Sequence, residues 1–294
     1  MRCKQTKYGP MIYPENDDLT GRSLECYGEA QQLEIEYLEK LISEGDVMMD
    51  IGANIGTITV PMAQRIGSKG YVLALEAHSM LFYTLCGNLS LNGLSHVQVF
   101  QRAAADKTGS MFYFPHFDFS QQRNFGNLKL AGLLNYKDDQ GDSYDNPVTA
   151  IALDDLGIAN PKLIKIDVGG MEPVVLNGLR RTLKRAKPFL YVDFRQNWQY
   201  IIEYLTSVGY EWALHETPLF NPNNFQSVSE NVLLDESGVP LMSYDIICWH
   251  KTKRPNLDDP YIVDLEKSDD PRHIRIKEAR DNADGTADFS VEDD

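Results

Sequence analysis

The sequence predicts an α/β fold of the Rossmann-like kind, in which a mostly parallel sheet is covered by helices on both faces. Short apolar segments alternate with amphipathic helical segments along most of the chain, which is typical of parallel strands joined by helices. The first strand, Val47–Ile51, runs into a glycine-containing turn and then a helix, and the second, Tyr71–Leu75, ends at the acid Glu76. These features predict a nucleotide-sized crevice at the carboxyl end of the first strand.

The turn after the first strand reads Asp50-Ile-Gly-Ala-Asn-Ile-Gly56. Gly52 and Gly56 can adopt positive φ and let a ligand approach the backbone, and the next helix offers unpaired N–H groups. Asp50 would repel a pyrophosphate but would attract the ammonium or sulfonium of S-adenosylmethionine. Glu76 is placed to accept hydrogen bonds from two ribose hydroxyls. The alternative is a Rossmann turn that binds a nicotinamide or flavin cofactor.

The remaining elements follow from apolar periodicity and from turn residues. Apolar side chains at helical spacing predict helices over 29–43, 57–65, 79–91, 172–186 and 198–208. Short apolar runs predict strands over 97–101, 110–114, 148–153, 163–167, 189–194, 210–214 and 244–249, with a hairpin strand over 8–13.

Three domain segments are predicted: an N-terminal hairpin and helix cap over 1–45, a catalytic-type α/β domain over 46–251, and an acidic, poorly ordered tail over 252–294. The leading helix is expected to cap the crevice, so that Tyr27 and Glu29 contact the ligand; a surface turn is the alternative. Residues 115–147 carry aromatics, Arg and Asn, and predict an ordered lid or substrate wall, with a mobile insertion as the alternative.

Composition excludes several classes of protein. The formal net charge of −15 disfavours binding to nucleic acid or to an anionic membrane surface. Four scattered cysteines, without a C-x-x-C pair, predict free thiols, and no apolar run approaches ~18 residues, so we expect a cytoplasmic protein without a membrane span. The acids are dispersed and no His-rich spacing occurs, so no metal site is predicted, although an Asp-based Mg²⁺ site stays open.

Four stretches together resemble the FkbM-type methyltransferases, which are class I enzymes dependent on S-adenosyl-L-methionine. The stretches are Asp46-Val-Met-Met-Asp-Ile-Gly-Ala-Asn-Ile-Gly56, Val72-Leu-Ala-Leu-Glu76, Asn88-Leu-Ser-Leu-Asn-Gly-Leu94 and Leu163-Ile-Lys-Ile-Asp-Val-Gly-Gly-Met-Glu172. The similarity covers about residues 8–250. It implies a Rossmann-like class I methyltransferase fold with a seven-stranded, mostly parallel sheet, one strand near the C-terminus being reversed.

The resemblance also implies site residues and a reaction. The cofactor's amino-acid end would be held by the turn residues Asp50, Gly52, Ala53, Asn54 and Gly56. Its ribose and adenine would meet Glu76, Ala77, His78, Arg102 and Ala103, and Asp167 would lie near the transferable methyl. The implied reaction is O-methylation of a sugar or natural-product hydroxyl, with a small-molecule or saccharide acceptor. Another small-molecule hydroxyl, or an amine, is the alternative.

An alcohol acceptor must lose its proton, and three residues are candidate bases. Asp167 has the better position and His215 the better intrinsic pKa, with Asp193 as a third candidate. The family usually reads Ile-Asp-Val-Glu-Gly after the fourth strand, where this chain has Gly169. A cofactor-binding protein with weakened or lost catalysis is therefore the rival hypothesis. Glu172 either replaces the missing charge or is simply a favourable acid at a helix start, the second reading being preferred. The oligomeric state is not indicated.

Overall fold

The computed structural model describes residues 1–115, 118–126, 130, 132, 136–137 and 143–283. Its strands are β1 (Arg2–Thr6), β2 (Gly9–Tyr13), β3 (Val47–Ile51), β4 (Tyr71–Leu75), β5 (Val97–Phe100), β6 (Ala103–Ala105), β7 (Met111–Pro115), β8 (Tyr136–Lys137), β9 (Ser143–Ala152), β10 (Leu163–Ile166), β11 (Phe189–Asp193), β12 (Tyr210–Pro218) and β13 (Met242–His250). Its helices are α1 (Thr20–Tyr27), α2 (Gln32–Leu41), α3 (Thr59–Ile66), α4 (Ser79–Leu91), α5 (Glu172–Asn177), α6 (Arg180–Ala186), α7 (Trp198–Ser207) and α8 (Pro271–Asn282), with a 3₁₀ turn over Leu153–Leu156.

A seven-stranded sheet in the order β12-β13-β11-β10-β3-β4-β5 forms the centre of the fold. The strands from β11 to β5 are parallel, whereas β13 is antiparallel to both β11 and β12. The α/β class and the mostly parallel sheet with one reversed strand near the C-terminus are therefore confirmed. The predicted strands at 210–214 and 244–249 are longer in the structure, because they pair with each other over nine residues.

Two apolar layers cover the sheet. On one face, Met48 and Tyr191 pack against buried residues of α2, α3 and α4, such as Ile35 and Leu85. On the other face, Met49 and Leu190 pack against buried residues of α5, α6 and α7. Because side chains alternate along a strand, each buried strand contributes to both layers, which explains its continuous apolar run.

The N-terminal hairpin is tied to the glycine turn by one buried amide. Asn88 on α4 accepts a hydrogen bond from Ile12 N at 2.6 Å and donates to Ile12 O and Ile55 O at 3.0 and 2.7 Å. The predicted strand at 8–13 is confirmed as β2, which pairs with β1. Helix α1 was missed, because its buried Ser, Thr and Gly positions do not form an apolar stripe.

The predicted helix over 172–186 is broken into α5 and α6 around Gly178. A Cβ at that position would lie 2.1 Å from Ala105 O, so β6 approaches the helix backbone directly. Strand β6 itself belongs to a smaller sheet with β9 and β7, and it pairs in parallel with β9. That long-range pairing is not readable from local periodicity.

The prediction of a poorly ordered tail is wrong for residues 252–283. This segment covers the outer strand β12: Val263 N donates to Leu214 O at 2.9 Å, and Glu216 N donates to Tyr261 O at 3.0 Å. Leu265 and Ile276 are buried in the apolar layer of α5–α7. The segment therefore protects an edge strand that would otherwise present unpaired backbone groups. Residues 284–294 lie outside the described part of the chain. No helix within the described residues is long and apolar enough to cross a bilayer.

Candidate active site

Two adjoining cavities open at the carboxyl ends of the parallel strands. The first, here the turn cavity, is bounded by the glycine turn, the end of β4 and the end of β10. The second, here the loop cavity, is bounded by α1, the segment after β11 and the start of β13. Gln31, Asn54, Gly126 and Asp167 line both cavities. A molecule in the turn cavity could therefore reach one in the loop cavity beside these four residues.

The glycines of the turn are needed by the protein as well as by a ligand. Gly52 has a φ of 81°, and a Cβ there would lie 1.9 Å from Asp167 O. Gly56 has a φ of 94°, and its Cβ would lie 2.7 Å from Leu85 Cδ1. Gly52 lines the turn cavity, whereas Gly56 faces α4 instead of the cavity. Glycine is thus required here by close packing between strands and between the turn and a helix.

Glu76 forms the far wall of the turn cavity and organises the glycine turn. Its Oε2 accepts from Asn54 N and its Oε1 from His78 N, both at 2.8 Å. Burial raises the pKa of its carboxyl to about 7. Each oxygen keeps a second lone pair, so the carboxylate can still accept hydrogen bonds from a diol in the cavity.

The predicted cofactor residues divide into two groups. Those that line the turn cavity are Gly52, Ala53, Asn54, Glu76, Ala77, Arg102 and Asp167. Those that line neither cavity are Tyr27, Glu29, Asp50, Gly56, His78 and Ala103. In place of Ala103, which is buried in the smaller sheet, its neighbour Ala104 lines the cavity. Both residues belong to strand β6, in which successive side chains point to opposite faces of the sheet.

Tyr27 and Glu29 hold a loop rather than face a cavity. The Tyr27 hydroxyl donates to Glu230 O at 3.0 Å and accepts from Val232 N at 2.7 Å. The Glu29 carboxylate accepts from Asn221 Nδ2 at 2.8 Å and from Phe225 N at 3.0 Å. The expectation of direct ligand contact is thus corrected: these residues anchor the segment between β12 and β13, whose Leu219 and Leu233 line the loop cavity.

A buried lysine that sequence reasoning passed over lies beneath the turn. Lys165 Nζ is 3.7 Å from Asp50 Oδ1, 3.6 Å from Asp167 Oδ2 and 3.3 Å from Gly52 O, and its side chain is 5% exposed. Asp50 is fully buried and also accepts from the Thr59 hydroxyl at 2.6 Å. Asp50 therefore acts beneath the cavity, through Lys165, rather than as a wall residue. The signal was a lone charge in an otherwise apolar strand.

His215 is corrected as a candidate base, because it faces the interior under α2. Its Nδ1 is 2.9 Å from the Tyr191 hydroxyl, and its Nε2 is 3.5 Å from Asp259 Oδ1. The side chain is fully buried, and burial lowers its pKa to about 4. A neutral, enclosed imidazole that lines neither cavity cannot take a proton from an acceptor there.

Acids that are dispersed in the sequence converge at the end of β10. One carboxylate oxygen each from Asp167, Glu172 and Asp193 lies within 4.8 Å of the others. Burial raises the pKa of the Glu172 and Asp193 carboxyls. Glu172 Oε1 accepts from Val168 N and Gly170 N at 3.0 and 3.1 Å, so Glu172 is both a helix-start acid and a charge beside Asp167. Acids that are far apart in the sequence thus converge in the fold, and the prediction that the chain has no metal site stays a prediction.

Part of the long insertion forms a wall of both cavities. Phe119 stacks on Phe125 with ring centroids 4.4 Å apart, and Phe125 lines the turn cavity. Asn16 Nδ2 donates to Phe119 O at 3.1 Å, and Arg123 N donates to Asn16 O at 3.0 Å. The prediction of an ordered wall is thus confirmed for residues 118–126. Phe117 and most of 127–142 lie outside the described residues, and of Tyr136 only the backbone is described.

The chain is similar to known methyltransferases. A sequence profile described as the methyltransferase FkbM domain matches residues 50–212. A search of curated protein sequences found no match.

Three solved structures are among those similar to this chain. The methyltransferase FkbM of Methylobacillus flagellatus KT is 18% identical with a TM-score of 0.45, over 71% of this chain and 44% of that one. This chain thus spans less than half the length of that protein. The precorrin-6y C5,15-methyltransferase of Geobacter metallireducens GS-15 is 15% identical with a TM-score of 0.44, over 80% of this chain and 98% of that one. An O-methyltransferase of Bacillus cereus, in complex with SAH, is 15% identical with a TM-score of 0.42, over 75% and 79%.

The profile match carries the assignment. It includes the glycine turn, the acid after β4 and the end of β10, which are the elements that build the turn cavity. It extends over more than half of the 294 residues. The chain belongs to the FkbM family of methyltransferases.

Proposed function

We propose that this chain transfers a methyl group from S-adenosyl-L-methionine to a hydroxyl of a saccharide or natural product. The observation that carries the proposal is the pair of cavities that meet at Asp167. In the turn cavity the Glu76 carboxylate can accept hydrogen bonds from a diol, and the loop cavity is lined by polar side chains. The cofactor would lie in the turn cavity and the acceptor in the loop cavity.

The residues of the turn cavity fit the chemistry of the cofactor. Glu76 offers two carboxylate oxygens to a ribose diol, and Asn54 Oδ1 is buried without a hydrogen bond from any described residue, so it can accept from an ammonium. Among the described residues at this cavity, the acids Asp50, Asp167 and Glu76 outnumber the cations Lys165 and Arg102. A net negative site stabilises a ligand that carries a sulfonium and an ammonium.

The loop cavity fits a polyhydroxylated acceptor. Besides the charged Asp167 and Arg195, its polar groups are hydroxyls and amides, and they belong to Thr20, Ser23, Gln31, Asn54, Asn124 and Ser243. Its apolar side is formed by leucines and Met242, which suits the C–H face of a sugar ring or a natural-product skeleton. Five of its lining residues precede Asp46, from Leu19 to Gln31, which supports a capping role for residues 1–45.

Asp167 is the proposed general base. Its side chain is 30% exposed and lines both cavities, so it can accept the proton of an acceptor hydroxyl placed between them. Asp193 is a poorer candidate, because its two oxygens already accept hydrogen bonds from Arg195. When bound, the cofactor supplies an electrophilic methyl on a sulfonium. The protein contributes alignment, exclusion of water and proton removal.

The rival hypothesis of a weakened enzyme is motivated by Gly169. Its φ is 63°, a left-handed conformation that glycine adopts freely. Glu172 brings a carboxylate into the cluster with Asp167 from the next helix, and we propose that it supplies the charge absent at Gly169. On this proposal the chain is an active enzyme.

Calorimetric titration with S-adenosylmethionine and S-adenosylhomocysteine tests the cofactor site. We expect wild-type binding, and binding weaker by roughly 10- to 100-fold in Glu76→Ala, because hydrogen bonds to a charged acceptor contribute about 1.5–3 kcal/mol. The matched control is Glu44→Ala, which removes an exposed acid paired with Lys69 far from the turn. Absence of wild-type binding at millimolar ligand would contradict the proposal.

Turnover with methyl-labelled cofactor and a panel of saccharides and natural products then tests the reaction. Asp167→Asn should still bind S-adenosylhomocysteine. Its rate of methylation should fall by on the order of 100-fold or more, as expected for the loss of a general base. Mass spectrometry of the product distinguishes a methyl ether from an N-methyl group. An N-methylated product would favour the amine alternative.

A further inference from the structure

The acidic cluster at the end of β10 requires a cation. Asp193 and Glu172 are nearly fully buried, and Asp167 is partly exposed beside them. Three carboxylates within 4.8 Å of one another repel strongly where water is scarce, and buried charges are stable only when paired. Lys165 lies beside Asp167, and the question is which positive group neutralises the rest of the cluster.

The turn after β11 places Arg195 beside two of these carboxylates, those of Asp193 and Asp167. Its Nε donates to Asp193 Oδ2 at 2.8 Å, its Nη2 also contacts that oxygen, and its backbone N donates to Asp193 Oδ1 at 2.8 Å. Nη2 lies 3.7 Å from Asp167 Oδ1. The guanidinium therefore bridges the two strand-end acids from one side, with Nε and Nη2 both directed at the same oxygen of Asp193.

Arg195 also borders the cavity that is proposed for the acceptor. Arg195 lines the loop cavity together with Asp167, and its side chain is 47% exposed. Nη1 makes no hydrogen bond to any residue that the structure describes. A rigidly held N–H donor next to the proposed base is the arrangement that stabilises an oxygen as it loses its proton.

We propose that Arg195 takes the position that a divalent cation would take among Asp167, Glu172 and Asp193, and that its free N–H groups bind the acceptor oxygen. The inference rests on the proposed function and adds a residue to it. The acceptor O–H bond breaks and its proton passes to Asp167, while Arg195 donates to the oxygen. That oxygen bonds to the methyl carbon, and the electron pair of the carbon–sulfur bond stays on sulfur. No metal ion enters this balance.

A metal ion would have to displace Arg195. Mg²⁺ requires oxygen ligands at about 2.0–2.1 Å in octahedral geometry, and both oxygens of Asp193 are engaged by Arg195. Removal of the guanidinium should therefore open the cluster to a divalent cation. This consequence is measurable without knowing the acceptor.

The purified protein is titrated with Mn²⁺ alone, and binding is measured by electron paramagnetic resonance of the free ion. We expect no saturable binding in the wild type at up to millimolar Mn²⁺, and one saturable site in Arg195→Ala that is lost in Arg195→Ala/Glu172→Gln. Arg181→Ala, which removes an exposed guanidinium paired with Asp155, is the matched control and should behave as the wild type. Circular dichroism verifies that each variant is folded.

Two results would overturn the proposal: a wild-type Mn²⁺ site that Glu172→Gln weakens, or no gain of a site in folded Arg195→Ala. Once an acceptor is identified, wild-type turnover should be unchanged by a chelator, and Arg195→Ala should lose on the order of 100-fold in kcat. S-adenosylhomocysteine affinity should stay within about twofold, since Arg195 lines only the loop cavity. Failure of the wild type to bind that ligand would contradict the proposed function, while the Mn²⁺ comparison would still decide the place of Arg195.

Discussion

Replacing Lys165 with Met tests whether one buried ammonium holds the polar layer beneath the active site. The Lys165 Nζ lies 3.7 Å from Asp50 Oδ1 and 3.6 Å from Asp167 Oδ2, and it donates to Gly52 O at 3.3 Å. Methionine is similar in length, so the change removes the charge and leaves little cavity. Breaking a buried ion pair by removing one partner costs about 3–5 kcal/mol, and we expect the free energy of unfolding at pH 7.5 to fall by about 3 kcal/mol.

The assay is denaturant unfolding followed by tryptophan fluorescence. Lys184→Met, an exposed lysine on α6, is the control and should change the free energy of unfolding by less than about 0.5 kcal/mol. Adding Asp50→Asn to Lys165→Met should cost less than Asp50→Asn does alone, because the stranded carboxylate is gone. The coupling free energy between the two substitutions should reach about 2 kcal/mol. A loss below about 1 kcal/mol, or strict additivity, would refute the idea that Lys165 neutralises Asp50.

Three further predictions concern stability. The folded-state pKa of His215, about 4, lies below that of an unfolded histidine, so protons bind the unfolded chain first and the wild type loses stability between pH 6.5 and 4. In denaturant unfolding, the free energy of unfolding of the wild type should fall from pH 7 to pH 4.5, and this fall should be smaller in His215→Gln by up to roughly 3 kcal/mol. Equal falls in the two proteins would contradict the prediction. Truncation after Lys253 exposes β12 and removes the buried Leu265, so Tm should fall and size-exclusion chromatography should show self-association; an unchanged Tm would exclude a stabilising role. Gly169→Glu must adopt a φ of 63° and should lower the free energy of unfolding by about 1–2 kcal/mol, more than Gly169→Asn does, and equal costs would argue against backbone strain.

Local sequence was sufficient for the elements that build the turn cavity. The strands β3 and β4 have the predicted bounds, because each is a short apolar run with a turn at either end. Gly52, Asn54 and Glu76 line the cavity as expected, because the residue that follows a parallel strand always lies at the same edge of the sheet. Positions defined by a strand end are therefore readable from one segment alone.

Sequence reasoning failed where a role depends on the direction of a side chain. His215 lies at a loop edge in the sequence, but β12 extends to Pro218 and turns the imidazole into the core. Tyr27 and Glu29 precede helix α2, yet they form hydrogen bonds with the segment between β12 and β13, about two hundred residues away. The acidic tail has too little apolar periodicity to predict order, and it is ordered through pairing with an edge strand.

The sequence by itself determined the class of the fold, the glycine turn and the family, because these reside in contiguous segments whose periodicity and turn chemistry are local. The tertiary structure alone decided which side chains meet at the candidate active site. Lys165 pairs in register with Asp50 on β3 and with Tyr191 on β11, and Arg195 meets Asp167 only because β10 and β11 are neighbours. Which strands become neighbours is set by the packing of both apolar layers over the whole sheet, and no single segment contains that information.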